Sequence, residues 1–288
     1  MNKIKRAPVI GVIWKVTFDS LKKNPVIWIP FCISGILKLF GLAVIFLSIF
    51  YPLSIVFAPI IKTLWGEAFL HYPFNFSLMP KLFYYVQIAV YIFLDGLLSG
   101  MAVWMVYQAN EGKKPTLLDS LKKVLPKYVT LTAFLLTIYL IVYFISYGEN
   151  LALMKSIKFK AVAFLMNKGL LQFINVFVNF FIILLIETVA AFVIPFVVLE
   201  DKRYFKGLAG SFGLVKRVFF SAFILIAIPT LISLPFSLLK AGFPALINKT
   251  LPEITFLVLG LSVVVTIFID CVVTTSLAFL FLLRKELA

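Results

Sequence analysis

Histidine and cysteine are scarce in this chain of 288 residues, and each shortage excludes a class of function. His71 is the only histidine, so metal-ligand clusters and a Ser-His-Asp catalytic set have almost no material. Cys32 and Cys271 fall in long apolar stretches, which provide no disulfide framework and no indication of redox compartment. The Gly-Lys-Lys sequence at 112–114 lacks the other residues of a phosphate-binding loop. We therefore expect no enzyme, no metal and no cofactor.

Charged residues are also few, and this shortage excludes a soluble globular protein. They make up 14% of the chain, against 62% hydrophobic residues and a mean hydropathy of +1.08. The apolar stretches given below and the residues that connect them account for nearly the whole chain. We therefore predict a single all-α transmembrane domain over 1–288. Six stretches are long and apolar enough to cross a hydrocarbon core of about 30 Å. They are 26–50, 82–108, 128–148, 171–199, 218–239 and 254–283.

The net charge of +15 is distributed unevenly between the two sides of these predicted spans. Eighteen of the Lys and Arg residues precede the first span, fill the second and fourth connections, or follow the last span. Eight lie in the other three connections, four of them in 149–170, which weakens the bias. The positive-inside rule then predicts a multi-pass protein of the cytoplasmic (inner) membrane with both termini in the cytoplasm. Short juxtamembrane basic stretches favour anionic lipid headgroups, and no nucleic acid partner is expected.

A unit of two spans recurs three times along the sequence. Asp-Ser-Leu-Lys-Lys occurs at 19–23 and again at 119–123, and a weaker match follows at 209–214. The alternative is that any alternation of basic loops and apolar spans looks repetitive. We favour a duplicated helical hairpin, preceded each time by a cytoplasmic amphipathic helix and related to its copies as parallel repeats. The predicted repeats are 8–112, 113–203 and 204–288.

The predicted amphipathic helices cover 8–24, 116–127 and 204–217, and the second begins with a capping box at Thr116 and Asp119. Such helices lie in the membrane interface with their basic side chains at the headgroups. A collar of this kind could dock a protein partner or simply anchor the chain, and we favour anchoring. The headgroup-facing basic residues are predicted to be Lys22, Lys23, Lys122, Lys123, Lys216 and Arg217.

Each repeat carries one carboxylate near the centre of its second span: Asp95, Glu187 and Asp270. A carboxylate at mid-bilayer costs about 2.5–3.5 kcal/mol on insertion scales, so these three must face protein, water or each other. Lys38 lies halfway along the first span, and spans joined by a hairpin are usually neighbours. An ion pair between Lys38 and Asp95 is therefore predicted. The GxxxG of Gly96 and Gly100 indicates that the adjoining face packs closely against protein.

Two interpretations of the intramembrane charges remain open. They could form a proton- or cation-coupled pathway, because intramembrane ionisable groups mark such routes. Alternatively, each acid bonds a neighbouring helix as a fold element copied with the repeat, and its presence in all three units favours this view. Lys38 breaks the symmetry, since its counterparts are Ile138 and Pro229. Pro195, Pro229 and Pro235 are expected to kink the fourth and fifth spans.

The segment 191–201, Ala-Phe-Val-Ile-Pro-Phe-Val-Val-Leu-Glu-Asp, is followed by a serine-centred basic helix at 211–217 and by Phe219 and Phe220. With the Asn24-Pro25 start of the first span, it resembles six-span bacterial proteins that include the membrane domain attached to some glycerophosphodiester phosphodiesterases. The resemblance implies a six-span architecture. It does not imply phosphodiesterase activity, since we expect no such domain within 1–288.

These observations predict a non-enzymatic multi-pass membrane protein that organises lipids or partner proteins in the bilayer. Its partners would be membrane lipids, through anionic headgroups on the cytoplasmic side, and a protein partner. The alternative is a transporter of a lipid or other amphiphile that uses the intramembrane charged residues Lys38, Asp95, Glu187 and Asp270.

Overall fold

The computed structural model describes residues 10–157, 168–243 and 252–287, and the described part is helical without strands. A π-helical segment, Tyr91–Asp95, joins the fourth helix to the fifth, and single 3-10 turns cover Pro25–Trp28, Glu67–Leu70 and Leu125–Lys127. The α-helices are α1 Ile10–Lys23, α2 Ile29–Leu47, α3 Ser54–Trp65, α4 Phe74–Val90, α5 Gly96–Asn110, α6 Leu117–Val124, α7 Tyr128–Ile157, α8 Lys168–Ala190, α9 Val193–Leu199, α10 Tyr204–Leu231, α11 Leu234–Ala241 and α12 Ile254–Leu287.

Six helical stretches in the described part are long and apolar enough to cross a membrane, as predicted. The second begins at Phe74, eight residues before the expected start at 82, because α4 continues through Pro80. Apolar side chains on both sides of this proline keep the helix packed in spite of the lost backbone hydrogen bond. The stretches are Pro25–Leu47, Phe74–Asn110, Leu117–Gly148, Phe173–Leu199, Tyr204–Leu231 and Ile254–Leu283.

The fifth span differs most from the prediction of 218–239. Helix α10, Tyr204–Leu231, consists of two helices that meet at a kink at Val218 (φ −126°, ψ 24°). The segment predicted as a separate helix at 204–217 is the part of α10 before this kink, and the kink lies at the predicted start of the fifth span at 218. The chain then turns and begins α11, where Pro235 occupies the first turn, a position that suits proline.

The other two predicted proline kinks have different outcomes. Pro229 lies inside α10 without breaking it, and the helix ends two residues later. The fourth span does break, but at residues 191–192, just before α9, so that Pro195 falls in the first turn of the new helix. Proline therefore follows this break and does not interrupt a helix.

The helices pack around one main hydrophobic core and a smaller second one. Helix α12 contacts α2, α5 and α10, while α8 packs against α10 and α7 packs against α5. The main core lies toward α1, α6 and the connection 200–203, and we call this side the basic face. The second core lies toward α3 and α11, on what we call the far face. It comprises Leu42, Phe76, Met79, Phe83, Phe243, Val258, Leu259 and Val263.

Helix α6 begins at the capping residue expected from the sequence. The Thr116 hydroxyl accepts a hydrogen bond from the Asp119 backbone N–H at 3.4 Å and donates to the Asp119 carboxylate at 2.7 Å. This satisfies a backbone donor that the helix itself cannot pair. Of the six basic residues predicted to face headgroups, Lys123 instead contacts Asp201, and five are exposed on the basic face: Lys22, Lys23, Lys122, Lys216 and Arg217.

The two glycines of the GxxxG pair lie in tight contacts, as predicted. A Cβ added to Gly96 would lie 3.1–3.4 Å from atoms of Leu131 and Leu135 on α7. One added to Gly100 would lie 2.8 Å from Val124 and 3.3 Å from side-chain atoms of Leu131. The small residues therefore allow α5 to approach α6 and α7 closely.

Gly100→Ala should destabilise the protein by about 1–3 kcal/mol, because the added methyl group would force Val124 or the α5 backbone to shift. Gly213→Ala on α10 is the control: nothing lies within 4 Å of its added Cβ, and alanine favours a helix. Thermal unfolding of the detergent-solubilised proteins measures both. A Gly100→Ala protein as stable as the Gly213→Ala protein would contradict the tight contact.

Candidate functional site

A buried ion pair links the first two spans near their centres. Lys38 Nζ on α2 lies 2.9 Å from Asp95 Oδ2, and the two side chains are 8% and 15% exposed. Ser34 donates a second hydrogen bond to Asp95, with Oγ 2.5 Å from Oδ1. Since Ser34 and Lys38 are four residues apart, they occupy the same face of α2 and bind the same carboxylate. The predicted Lys38–Asp95 pair is thus present, with a hydroxyl as an additional ligand.

Asp95 occupies the last position of the π-helical segment between α4 and α5. Hydrogen bonding from residue i to i+5 inserts one extra residue in the turn, which rotates the following residues by about 100° relative to a continuous α-helix. The segment therefore separates the register of α4, whose Val86 packs beside Gly41 of α2, from that of α5. Such insertions often occur at functional sites.

The other two carboxylates belong to the same charged cluster. Asp270 on α12 interacts electrostatically with Lys38 and with Asp95, and Glu187 on α8 interacts with Asp270. Tyr91, in the first position of the π segment, interacts with all three acids. One acid from each predicted repeat therefore meets the others in the middle of the bundle. We call Lys38, Tyr91, Asp95, Glu187 and Asp270 the central cluster.

Glu187 points into the bundle, yet its side chain is exposed. Leu185 and Val189, two residues away on each side, are 46% and 39% exposed and belong to the outer stripe of α8. Residues two apart on an α-helix point about 200° away from each other, so Glu187 lies opposite this stripe. Its electrostatic interaction with Asp270 and Tyr91 agrees with that direction. The Glu187 side chain is therefore exposed on the side of α8 that interacts with Asp270 and Tyr91.

The three acids are not equivalent in their bonding. Asp95 has both a cation and a hydroxyl, whereas Glu187 and Asp270 have no side-chain hydrogen bond or ion pair to any described residue. The interpretation that each acid bonds a neighbouring helix is therefore wrong for these two within the described residues. With one ammonium for three carboxylates, the central cluster has an excess of acid groups that a proton or a cationic group can satisfy.

The short helix α9 closes the bundle between the central cluster and the basic face. It packs against α5 and α10, and its Phe196 ring meets Phe281 of α12 edge to face, with centroids 4.9 Å apart. Five of its seven residues are buried. Gly207 and Gly210 of α10 leave room for Val197 and Phe196, since an added Cβ would lie 3.1–3.3 Å from their side chains.

Side chains from other helices hold both ends of α9. At its start, the Ser211 hydroxyl accepts from the Phe192 backbone N–H at 3.3 Å and donates to the Val189 carbonyl at 2.9 Å. At its end, Lys127 Nζ donates to the Val198 carbonyl at 2.7 Å and pairs with Asp201. Lys127 thereby ties the connection before α7 to the connection after α9. These bonds replace the backbone pairs lost where the helix is interrupted.

Several of these residues are missed by sequence reasoning. Ser34 carries a usable signal, because it precedes Lys38 by one helical turn on an apolar helix. Tyr91 gives no signal, since tyrosines are common in this chain and its position depends on the π segment. Ser211 is visible only as a serine in a glycine-rich helix. Lys127 looks like any juxtamembrane lysine.

Metal chemistry has no support in the described residues, where no group of three or more His, Cys, Asp and Glu side chains is arranged to hold an ion. His71 lies in the far-face connection after Glu67–Leu70, away from the central cluster.

Comparisons with known proteins identify no relative: no protein family, no curated protein and no solved structure matches the chain.

Lys38→Met should destabilise the protein by about 3–5 kcal/mol, because it leaves the Asp95 carboxylate buried without its cation. Combining it with Asp95→Asn removes both charges and should recover most of that loss. Lys62→Met is the control, since Lys62 pairs with Glu67 on the far face where both side chains are more than half exposed, and should change stability by less than about 1 kcal/mol. Thermal unfolding in detergent compares the four proteins. A double variant no more stable than Lys38→Met would argue against the pair.

The Asp201 pair should give a small, pH-dependent contribution to stability. The hydrogen bond and charge of Lys127, with a smaller contribution from Lys123, hold the pKa of Asp201 below its ordinary value of 3.8. A depressed pKa means that the contribution is present above pH 3.8 and disappears as the pH falls through the lower folded-state pKa. Asp201→Asn should therefore cost at most about 1 kcal/mol at pH 7, since the carboxylate is largely exposed, and nothing at the acid limit. Unfolding measured against pH tests this, and a pH-independent difference would contradict it.

Proposed function

We propose that this protein is a membrane carrier that binds an amphiphile through the central cluster. The observation that carries the proposal is Glu187, an exposed carboxylate on the side of α8 that interacts with Asp270, without a hydrogen-bond donor from any described residue. A bilayer protein keeps an unpaired carboxylate at mid-depth only at a cost in free energy. A role for this carboxylate in binding protons or a positively charged group would account for its presence in spite of that cost.

The remaining residues of the cluster have separate roles in this proposal. Lys38 and Ser34 bind the Asp95 carboxylate, which fixes the first hairpin. Glu187 and Asp270 take up the proton or the cationic head of the amphiphile. Tyr91 lies among all three acids and offers an aromatic face to a cation. The acyl part of the amphiphile would lie along the apolar helices.

The orientation of the protein is part of the same proposal. We infer from the positive-inside rule that the basic face is cytoplasmic, so that α9 closes the central cluster toward the cytoplasm. The proposed route of the amphiphile to the cluster is from the far face, past the second core. The six-span architecture agrees with the resemblance to the membrane domain of glycerophosphodiester phosphodiesterases, and no enzymatic role is proposed.

A second candidate function is the organisation of lipids or partner proteins at the membrane. It rests on the basic face, where exposed phenylalanines lie beside basic residues: Phe205 next to Lys206, and Phe212 and Phe220 on either side of Lys216 and Arg217. This pattern suits the interface of a leaflet with anionic headgroups. It is compatible with a carrier, but it leaves the excess acids of the central cluster without a role.

Glu187→Gln and Asp270→Asn should each weaken binding of a cationic amphiphile by about tenfold or more, because they remove the charge that attracts it. The probe is a fluorescent lipophilic ammonium dye, measured by anisotropy with purified protein and by dye movement across protein-containing vesicles. Glu67→Gln is the control, since it removes an exposed far-face carboxylate and should leave binding unchanged.

Two outcomes would contradict the carrier. If folded Glu187→Gln and Asp270→Asn proteins bind and move the dye as the wild type does, the cluster is not the binding site. If both variants lose the folded state in thermal unfolding, the acids are structural elements and the organising function is favoured. A labelled anionic phospholipid serves as the second probe, and its movement without movement of the dye would overturn the preference for a cationic head.

A further inference from the structure

We propose that α9 is a gate that opens the central cluster toward the basic face, with Lys127 as its latch and Ser211 at its hinge. This inference rests on the proposed carrier function, because a gate needs a pathway to close. The starting observation is positional: the break at residues 191–192 comes only four residues after Glu187. The segment that moves would therefore begin directly beside the central cluster.

The hinge end of α9 has the local structure of a segment that can swing. Residues 191 and 192 form a turn, and the backbone groups exposed by the break are bound by one hydroxyl, that of Ser211 on α10. Because this hydroxyl both accepts and donates, it can keep one of its bonds while the other breaks. The turn therefore changes shape at a small cost in hydrogen bonds.

The latch end is held by charged groups at the membrane surface. Lys127 donates to the last turn of α9 through the Val198 carbonyl and pairs with Asp201 just beyond it. Lys123 Nζ lies 3.7 Å from the same carboxylate. Asp201 has a positive φ of 51°, a conformation that a non-glycine residue adopts at a local cost, and the two lysines hold it there. Release of this carboxylate removes part of what holds the connection 200–203, where Lys202 also pairs with Glu200 and lies over the Phe196 ring.

The body of α9 has surroundings that permit an alternative position. Its contacts on α10 are to Gly207 and Gly210, which present a flat surface along which Val197 and Phe196 can slide. On α5 its neighbour is Gly100, beside Val198. A segment bounded by breaks at both ends and packed on glycines can move as a unit, whereas interlocked large side chains would oppose such a movement. The Phe196–Phe281 contact and the position of Lys202 over the Phe196 ring must both change.

The test measures which side of the membrane reaches the position of Glu187. In a background carrying Cys32→Ser and Cys271→Ala, Glu187→Cys provides a single thiol beside the central cluster. The protein is placed in vesicles of known orientation, and a membrane-impermeant maleimide is applied to one side at a time. With the latch intact, we expect labelling from the far face only.

Adding Lys127→Met should make labelling from the basic face about tenfold faster or more, since a charge-assisted bond to α9 and the pair with Asp201 are both lost. Lys122→Met is the matched control, an exposed lysine on the same connection that should leave the rate unchanged. Asp201→Asn is the milder second variant, because the bond from Lys127 to Val198 remains, and it should give a smaller increase. Thermal unfolding verifies that each protein is folded.

The outcomes separate the gate from the carrier. If far-face labelling occurs and neither latch variant changes basic-face labelling, α9 is a fixed plug and the gate is wrong while the pathway stands. If the thiol is unreachable from both sides in every folded variant, Glu187 borders no pathway, and both proposals fail. If Lys127→Met does not fold, Asp201→Asn alone decides, and an unchanged rate in that variant overturns the gate.

Discussion

The rest of this structure depends on the cost of leaving a charge or a polar backbone group unpaired in hydrocarbon. Lys38 and Asp95 satisfy each other across the first hairpin, and Ser34 occupies a further lone pair of the carboxylate. Because neither partner can be tolerated alone, the pair fixes α2 against the junction of α4 and α5. The π segment that ends at Asp95 is part of the same solution, since it sets the register in which that carboxylate meets α2.

The same cost explains how the fourth span can be interrupted. A break exposes backbone N–H and carbonyl groups that water would satisfy in a soluble protein. Here one hydroxyl from α10 binds both sides of the break after α8, and one lysine from the connection before α7 binds the last turn of α9. The break after α8 is therefore tied to α10, and the last turn of α9 is tied to the connection before α7, through polar contacts as well as through the apolar core.

Glu187 and Asp270 have no hydrogen bond or ion pair to a described residue, although both belong to the central cluster. They meet Asp95 at one place, although the sequence suggested equivalent contacts copied with each repeat. Lys38 makes the three units unequal, because a single cation cannot neutralise three carboxylates. The proposed carrier assigns these excess acid groups a role as the site of a proton or a cationic head.

The sequence by itself determined the six apolar stretches, the basic bias of one face, the Thr116 cap and the pairing of Lys38 with Asp95. Each of these follows from local composition or from the proximity of consecutive spans. Only the tertiary structure decided that the helix of the fifth span ends at Leu231, that α9 is separate, and that the three acids lie near one another. Those features depend on contacts between residues distant in the chain, such as Ser211 with Val189 and Asp270 with Lys38, and on a π segment that no periodicity reveals. Packing at these contacts sets helix register and direction, and neither is encoded within a single span.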